Sequence, residues 1–223
     1  MSKITDFINN WGDSIWTATV ETFQMVIVAF IISVVIGLLL GILLVLTRPN
    51  QRLENRFVHQ VLNVIINIIR SIPFIILLFL ILPFTKFIVG TTIGVKGVLV
   101  PLVIYTAPFI ARLMETALLE VDRGVIEAYE AMGIKTSAVI WHVLLREARP
   151  SIVLGLAIAA VGLIGATAMA GLVGGGGLGD LAYRYGFLRY EADVMYVTVI
   201  ILIILVQGLQ SIGNRLAAKI KKD

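Results

Sequence analysis

Apolar positions in this chain come in long uninterrupted runs, without the alternation of a half-buried strand or the three-and-four spacing of a surface helix. Residues 22–47, 151–179 and 194–214 hold 26, 29 and 21 positions without a charged side chain. At about 1.5 Å of rise per residue, each run can cross about 30 Å of hydrocarbon as a helix. Two weaker segments lie between them. Residues 73–84 are strongly apolar but short, so they either borrow from residues 61–72 or run past a snorkelling Lys86 to Val89. Either choice adds one crossing. Residues 97–111 carry Pro101 and Pro108 on one helical face and read as a kinked span from about 91 to 113. Residues 1–21 contain Asp6, Asp13 and Glu21 and lack a basic start followed by an apolar run, so no secretory signal is expected there.

Five crossings put the termini on opposite sides of the membrane, and the cations decide which side is which. Thirteen Lys and Arg, from Arg48, Arg52, Arg56 and Arg70 through Arg112–Arg149 to Arg215 and Lys222, fall on one side. Lys3, Lys86, Lys96, Arg184 and Arg189, five in all, fall on the other. By the positive-inside rule the C-terminus is cytoplasmic and the N-terminus outside. Composition agrees: 59% of residues are apolar and 14% charged, against about 45–50% and roughly 25% in soluble proteins. The chain reads as an all-α, multi-pass membrane protein of a single domain, 1–223. Its formal charge of +4 reflects the flanks of the spans and not a basic patch interleaved with aromatics, so no nucleic-acid partner is expected. With no cysteine, thiol nucleophiles and Cys-ligated metals are excluded, and His59 and His142 are too isolated to suggest a metal site.

The orientation places a charged stretch, 112–149, in the cytoplasm between the third and fourth spans. Residues 122–136 read Asp-Arg-Gly-Val-Ile-Glu-Ala-Tyr-Glu-Ala-Met-Gly-Ile-Lys-Thr, a short helix ended by Gly133 in a left-handed cap. A second helix starts from Thr136 and gathers Val139, Ile140, Val143 and Leu144 on one face before Pro150 opens the fourth span. On the first helix Val125, Ala128 and Met132 share a face, with Glu127, Glu130 and Ala131 around its flank. Small alanines admit a close neighbour, and the carboxylates offer anchors for Arg or Lys.

Glu127-Ala-Tyr-Glu-Ala-Met-Gly133, followed by Val143-Leu-Leu, resembles the EAA loop of ABC-importer permeases, with Tyr129 for the second alanine and Arg146 where proline is expected. Further segments resemble the methionine-import branch of that family: Arg70-Ser-Ile-Pro-Phe-Ile-Ile-Leu-Leu78, Pro83-Phe-Thr85, Ile88-Val-Gly-Thr91, Pro108-Phe-Ile-Ala-Arg112 and Glu115-Thr-Ala-Leu-Leu-Glu120. The resemblance implies a type I importer permease of the bacterial plasma membrane that takes up L- and D-methionine and derivatives. It implies a homodimer in membrane lipid, two copies of a separate ABC ATPase holding ATP and Mg2+, and an extracellular or periplasmic methionine-binding protein. It assigns ATPase coupling to a segment of about 120–148, with Glu127, Ala128, Ala131, Met132 and Gly133 at the contact. The chain itself is then expected to bind no cofactor and catalyse no reaction.

Three other features admit functional and structural readings side by side. Gly174, Gly175, Gly176 and Gly177 form part of a formal G-x-G-x-x-G, but they follow a membrane helix and read as an external turn, either a plain tight turn or one that meets a binding protein or gates the path. No Gly-Lys-Ser/Thr sequence exists to hydrolyse ATP. Gly162, Gly165 and Met169 lie on a small-residue fourth span and are candidates for the translocation path or gate, for the subunit interface, or for plain helix packing. Arg56, Gln60, Asn63, Asn67 and Arg70 make a polar stripe on a helix that lies at the membrane interface or faces a polar partner. A secondary transporter or channel is the rival class, but it calls for ionisable residues inside the spans or inverted repeats, and the three clear spans carry no charge.

Overall fold

The computed structural model describes residues 2–49, 51 and 53–221; the side chains of residues 2–4, Arg123, Ile126, Glu127, Glu130, Thr136 and Ser137 lie outside that description. Arg52 and Lys222 of the orientation tally, and the carboxylates of Glu127 and Glu130, therefore lie outside the described residues and side chains. Every element among the described residues is helical: α1 (Ser2–Thr47), α2 (Arg56–Ser71), α3 (Phe74–Leu80), α4 (Leu82–Val89), α5 (Gly94–Leu119), α6 (Arg123–Ala131), α7 (Thr136–Val139), α8 (Leu145–Glu147), α9 (Arg149–Ala170), α10 (Gly177–Leu181) and α11 (Ala192–Ile220). Helices α1, α5, α9 and α11 are long and apolar enough to cross a membrane, and α2 with α3 makes a fifth candidate bent by 105°. This fits a hydrocarbon solvent, where every backbone N–H and C=O must be paired within its own segment.

Several boundaries differ from the sequence reading. The first helix starts at Ser2, about twenty residues before the uncharged run, because Trp11, Ile15 and Ala18 have apolar neighbours in Leu178, Leu181 and Val194. Helix continues past Lys86 to Val89 and stops at Gly90, whose φ is 77°. The third span runs without a break through Pro101 and Pro108 to Leu119. The run 151–179 is not one helix: α9 ends at Ala170, tightens into a 3-10 turn at Gly171–Val173, and reverses.

The chain divides into two compact units. One comprises residues 1–32, 72–105 and 160–209, the other residues 33–71, 106–159 and 210–223. In the first unit Met25 and Ala29 of α1, Phe74 and Leu78 of α3, Val98 and Leu102 of α5, and Leu163 and Ala170 of α9 form one core. Phe74 meets Tyr105 edge to face at 5.2 Å, and Trp11 meets Tyr185 the same way at 4.8 Å.

In the second unit, close backbone approach replaces bulk. Ser33, Gly37 and Gly41 recur every four residues on α1. A Cβ on Gly37 would stand 2.6 Å from Ile110 Cγ2 and 2.8 Å from the Ala107 carbonyl, and one on Gly41 2.6 Å from Met114 Cβ. Beside this seam Leu44, Ile66 and Ala111 pack together, and Val45, Leu118, Val139, Val143, Leu144 and Ala148 form a second cluster. Gly37→Val should therefore lower stability by about 1–3 kcal/mol through overpacking. Gly208→Ala, where an added methyl has open space, should leave the thermal midpoint in detergent unchanged or raised.

Candidate functional site

Segment 120–148 belongs wholly to the second unit. Asp122 caps α6 by accepting the Gly124 N–H on Oδ1 at 2.6 Å. The other end closes as a Schellman turn: Gly133 has a φ of 72°, and the Ile134 N–H reaches back to the Tyr129 carbonyl at 3.4 Å. The two helices that follow the turn are joined by a π-helical turn over Ile140–Leu144, in which the Leu145 N–H bonds the Ile140 carbonyl.

The two halves of the segment are buried very differently. Val139, Val143 and Leu144 are in the core, and Ile134, Ile140 and Leu145 are half-buried. On α6 and its cap, Val125, Ala128, Tyr129, Ala131, Met132 and Gly133 are all exposed, Met132 to 64%. An amphipathic helix normally turns its apolar residues toward its own core. Here the second half does so, and the described apolar side chains of the first half do not. Beside α6 lies a hollow of about 240 Å3 lined by Ala117, Glu120, Val121, Asp122, Val125, Glu147, Ala148 and Ser151, in which Ser151 donates to Glu120 at 2.5 Å.

In the first unit the glycine run makes a sharp elbow. Gly174, Gly176 and Gly177 have φ of 77°, 81° and 78°. Gly175 is compact for another reason, since a Cβ there would lie 2.7 Å from the Ala170 carbonyl and 2.8 Å from Val98. Two consecutive residues of α1 hold the elbow: Glu21 accepts the Gly177 N–H at 2.7 Å, and Thr22 the Leu178 N–H at 2.9 Å. The Gly94 N–H bonds the Gly174 carbonyl at 2.9 Å. On α9, Gly162, Gly165 and Met169 share one exposed face, and an added Cβ at either glycine would meet nothing within 4 Å.

The polar stripe of α2 finds its partner within the chain. Arg112 of α5 donates to Asn63 and, at 2.8 Å, to Asn67, while its other terminal nitrogen pairs with Glu115 at 2.6 Å. Arg70 lies 5.8 Å from the ring centre of Phe109, and Arg56 pairs with Glu54. Glu21, Arg112 and Glu115 were not singled out as site residues from the sequence. The i, i+3 spacing of Arg112 and Glu115 within an apolar helix was the available signal. His59 and His142 turn Nδ1 to the carbonyls of Leu44 and Ala138.

Residues 33–222 match the family described as binding-protein-dependent transport system inner membrane component. The chain belongs to this family. It is a multi-pass protein of the bacterial plasma membrane, and the family's members are transport components. Among similar proteins, the probable D-methionine transport system permease MetI of Vibrio cholerae is 52% identical over 151 residues, 68% of this chain and 67% of its own. The methionine import system permease MetP of Bacillus subtilis is 50% identical over 153 residues, 69% of each chain. A solved structure described as inward-facing conformations of the MetNI methionine ABC transporter superposes with a TM-score of 0.91 at 44% identity, covering 93% of this chain and 96% of that one. An amino acid ABC transporter solved with histidines shares the fold, with a TM-score of 0.78 at 17% identity over 95% of this chain and 96% of its own.

Two outcomes follow from this geometry. Gly133→Val forces a branched residue into a left-handed conformation at about 1–2 kcal/mol; it should speed amide exchange across 120–148 without altering membrane insertion. Glu21→Ala leaves the buried Gly177 N–H without its acceptor at about 1–3 kcal/mol; exchange at Gly177 and Leu178 should rise, and unchanged protection there would refute the clasp.

Proposed function

We propose that this chain is the translocation subunit of an ATP-driven methionine importer, and that it is worked through segment 120–148 by a separate ATPase. The observation carrying this reading is the unequal burial of that segment, whose second half is anchored in the core while α6 leaves its alanines, Tyr129 and Met132 uncovered. The relatives' names supply methionine as cargo. In this reading Glu127, Ala128, Ala131, Met132 and Gly133 meet the ATPase, and the whole chain, 1–223, acts as one permease domain. Two copies of the chain enclose the path, two ATPase subunits hold ATP and Mg2+, and a methionine-binding protein delivers L- and D-methionine outside.

The N-terminus is then external and the C-terminus cytoplasmic. Nucleotide-driven closure of the ATPases moves the α6 helices, and the anchored second half of each segment carries that movement into α1, α5 and α9. Such a switch requires two states a few kcal/mol apart whose balance nucleotide biases through the contact. Gly162, Gly165 and Met169 line the path or its dimer seam, and the elbow of Gly174, Gly175, Gly176 and Gly177 forms the outer turn.

Coexpression with an ABC ATPase of the methionine system and reconstitution with its binding protein tests the proposal. The wild-type chain should bring down the ATPase and import methionine only with ATP. Ala128→Arg, which adds bulk and charge at an exposed alanine, should abolish copurification while the protein still inserts. Import independent of the ATPase would overturn the reading.

A further inference from the structure

Arg112 occupies the last two turns of α5, the helix that leads through residues 120–122 into α6. Its guanidinium holds Glu115 on its own helix and both Asn63 and Asn67 on α2. The side chains of Arg112 and Glu115 are only 20% and 11% exposed, so this is a charged cluster largely withdrawn from its surroundings within an apolar bundle.

Stability alone gives little reason for such a cluster. Well-packed apolar residues in place of a buried ion pair are often neutral or stabilising, and an ionisable group at membrane depth carries a cost. What the fork adds is register. Two amide oxygens one helical turn apart converge on one terminal nitrogen of the guanidinium, so a slide of α2 by a single turn would keep at most one of the two bonds. Apolar packing of Ile66 against Leu44 and Ala111 also holds α2, but such contacts carry little directional preference, and its outer residues Phe57, Val64, Ile65 and Ile68 are exposed and offer no restraint against sliding. The His59 bond to the Leu44 carbonyl, 3.1 Å long, adds a tie from α2 to α1.

We propose that Arg112 is a positioning residue that locks α2 to α5 in one register, so that both helices and the coupling segment respond to the ATPase as one lever. This deepens the coupling reading and rests on it. The charge pair with Glu115 fixes the guanidinium's orientation, and Asn63 and Asn67 read its position.

The test uses the reconstituted complex and measures methionine imported per ATP hydrolysed. Arg112→Lys keeps the charge but loses the fork. It should lower that ratio by about fivefold or more, the low end of measured coupling effects, with ATPase copurification retained. In this cysteine-free chain, Asn63→Cys with Arg112→Cys removes the clamp and permits its covalent replacement by a short bifunctional thiol reagent. The unbridged double variant should be uncoupled, and bridging should restore import, because helices that move together tolerate a staple. Normal coupling without the bridge, failure of the bridge to restore import, or arrest on bridging would each overturn the clamp. Should the double variant not assemble, Arg112→Lys decides alone. A wild-type chain that does not bring down the ATPase overturns the coupling reading and the clamp with it, whereas a working wild type with fully coupled variants overturns the clamp only.

Discussion

A leucine facing lipid is about as well solvated as a leucine facing another leucine, so apolar burial cannot choose which helices of this chain touch. Close backbone approach and polar pairing choose instead. In the second unit Gly37 and Gly41 bring α1 against Ala107, Ile110 and Met114 of α5 with no room for a methyl. A seam so tight has dispersion contacts at short range along its length and cannot be exchanged for a looser one without loss. Ile200, Ile203 and Ile204 of α11 stay exposed, as expected where hydrocarbon is the solvent.

The proposed coupling segment packs on the same two helices. Its second half is held by Val139, Val143 and Leu144 packed with Val45 of α1 and Leu118 of α5, which gives the proposed lever its base on two spans. The π-helical turn at Ile140–Leu144 sits inside that base. Within it Val143 and Leu144 are both buried while Trp141, two residues before Val143, is 65% exposed. Anchored residues and uncovered ones are thereby sorted within one turn.

Much of this was legible in order along the chain. The uncharged runs marked the spans, Gly133 marked the end of α6, and the spacing of Val139, Val143 and Leu144 gave the buried face. What the sequence concealed were partnerships between distant residues. Nothing local to Glu21 says that it caps an elbow 156 residues away, and Asn63 and Asn67 gave a polar stripe without naming Arg112. The start of α1 was hidden for a related reason: Asp6 and Asp13 interrupt its apolar pattern, and only the neighbours of Trp11 and Ala18 explain why helix extends there. The end of the fourth span was obscured because glycines carry no charge to mark a boundary, although their backbone freedom is what ends the helix.

The elbow itself has a genetic corollary. Gly174, Gly176 and Gly177 take left-handed backbone angles, and Gly175 fits only because it has no side chain. Every missense change at a glycine codon adds at least a β-carbon, which at Gly175, Gly176 and Gly177 would collide with a neighbouring atom, so these three adjacent codons admit no conservative replacement. Polymorphism within the gene should thin out over these nine nucleotides to synonymous third-base changes, even though the encoded turn contributes no charged or reactive group of its own.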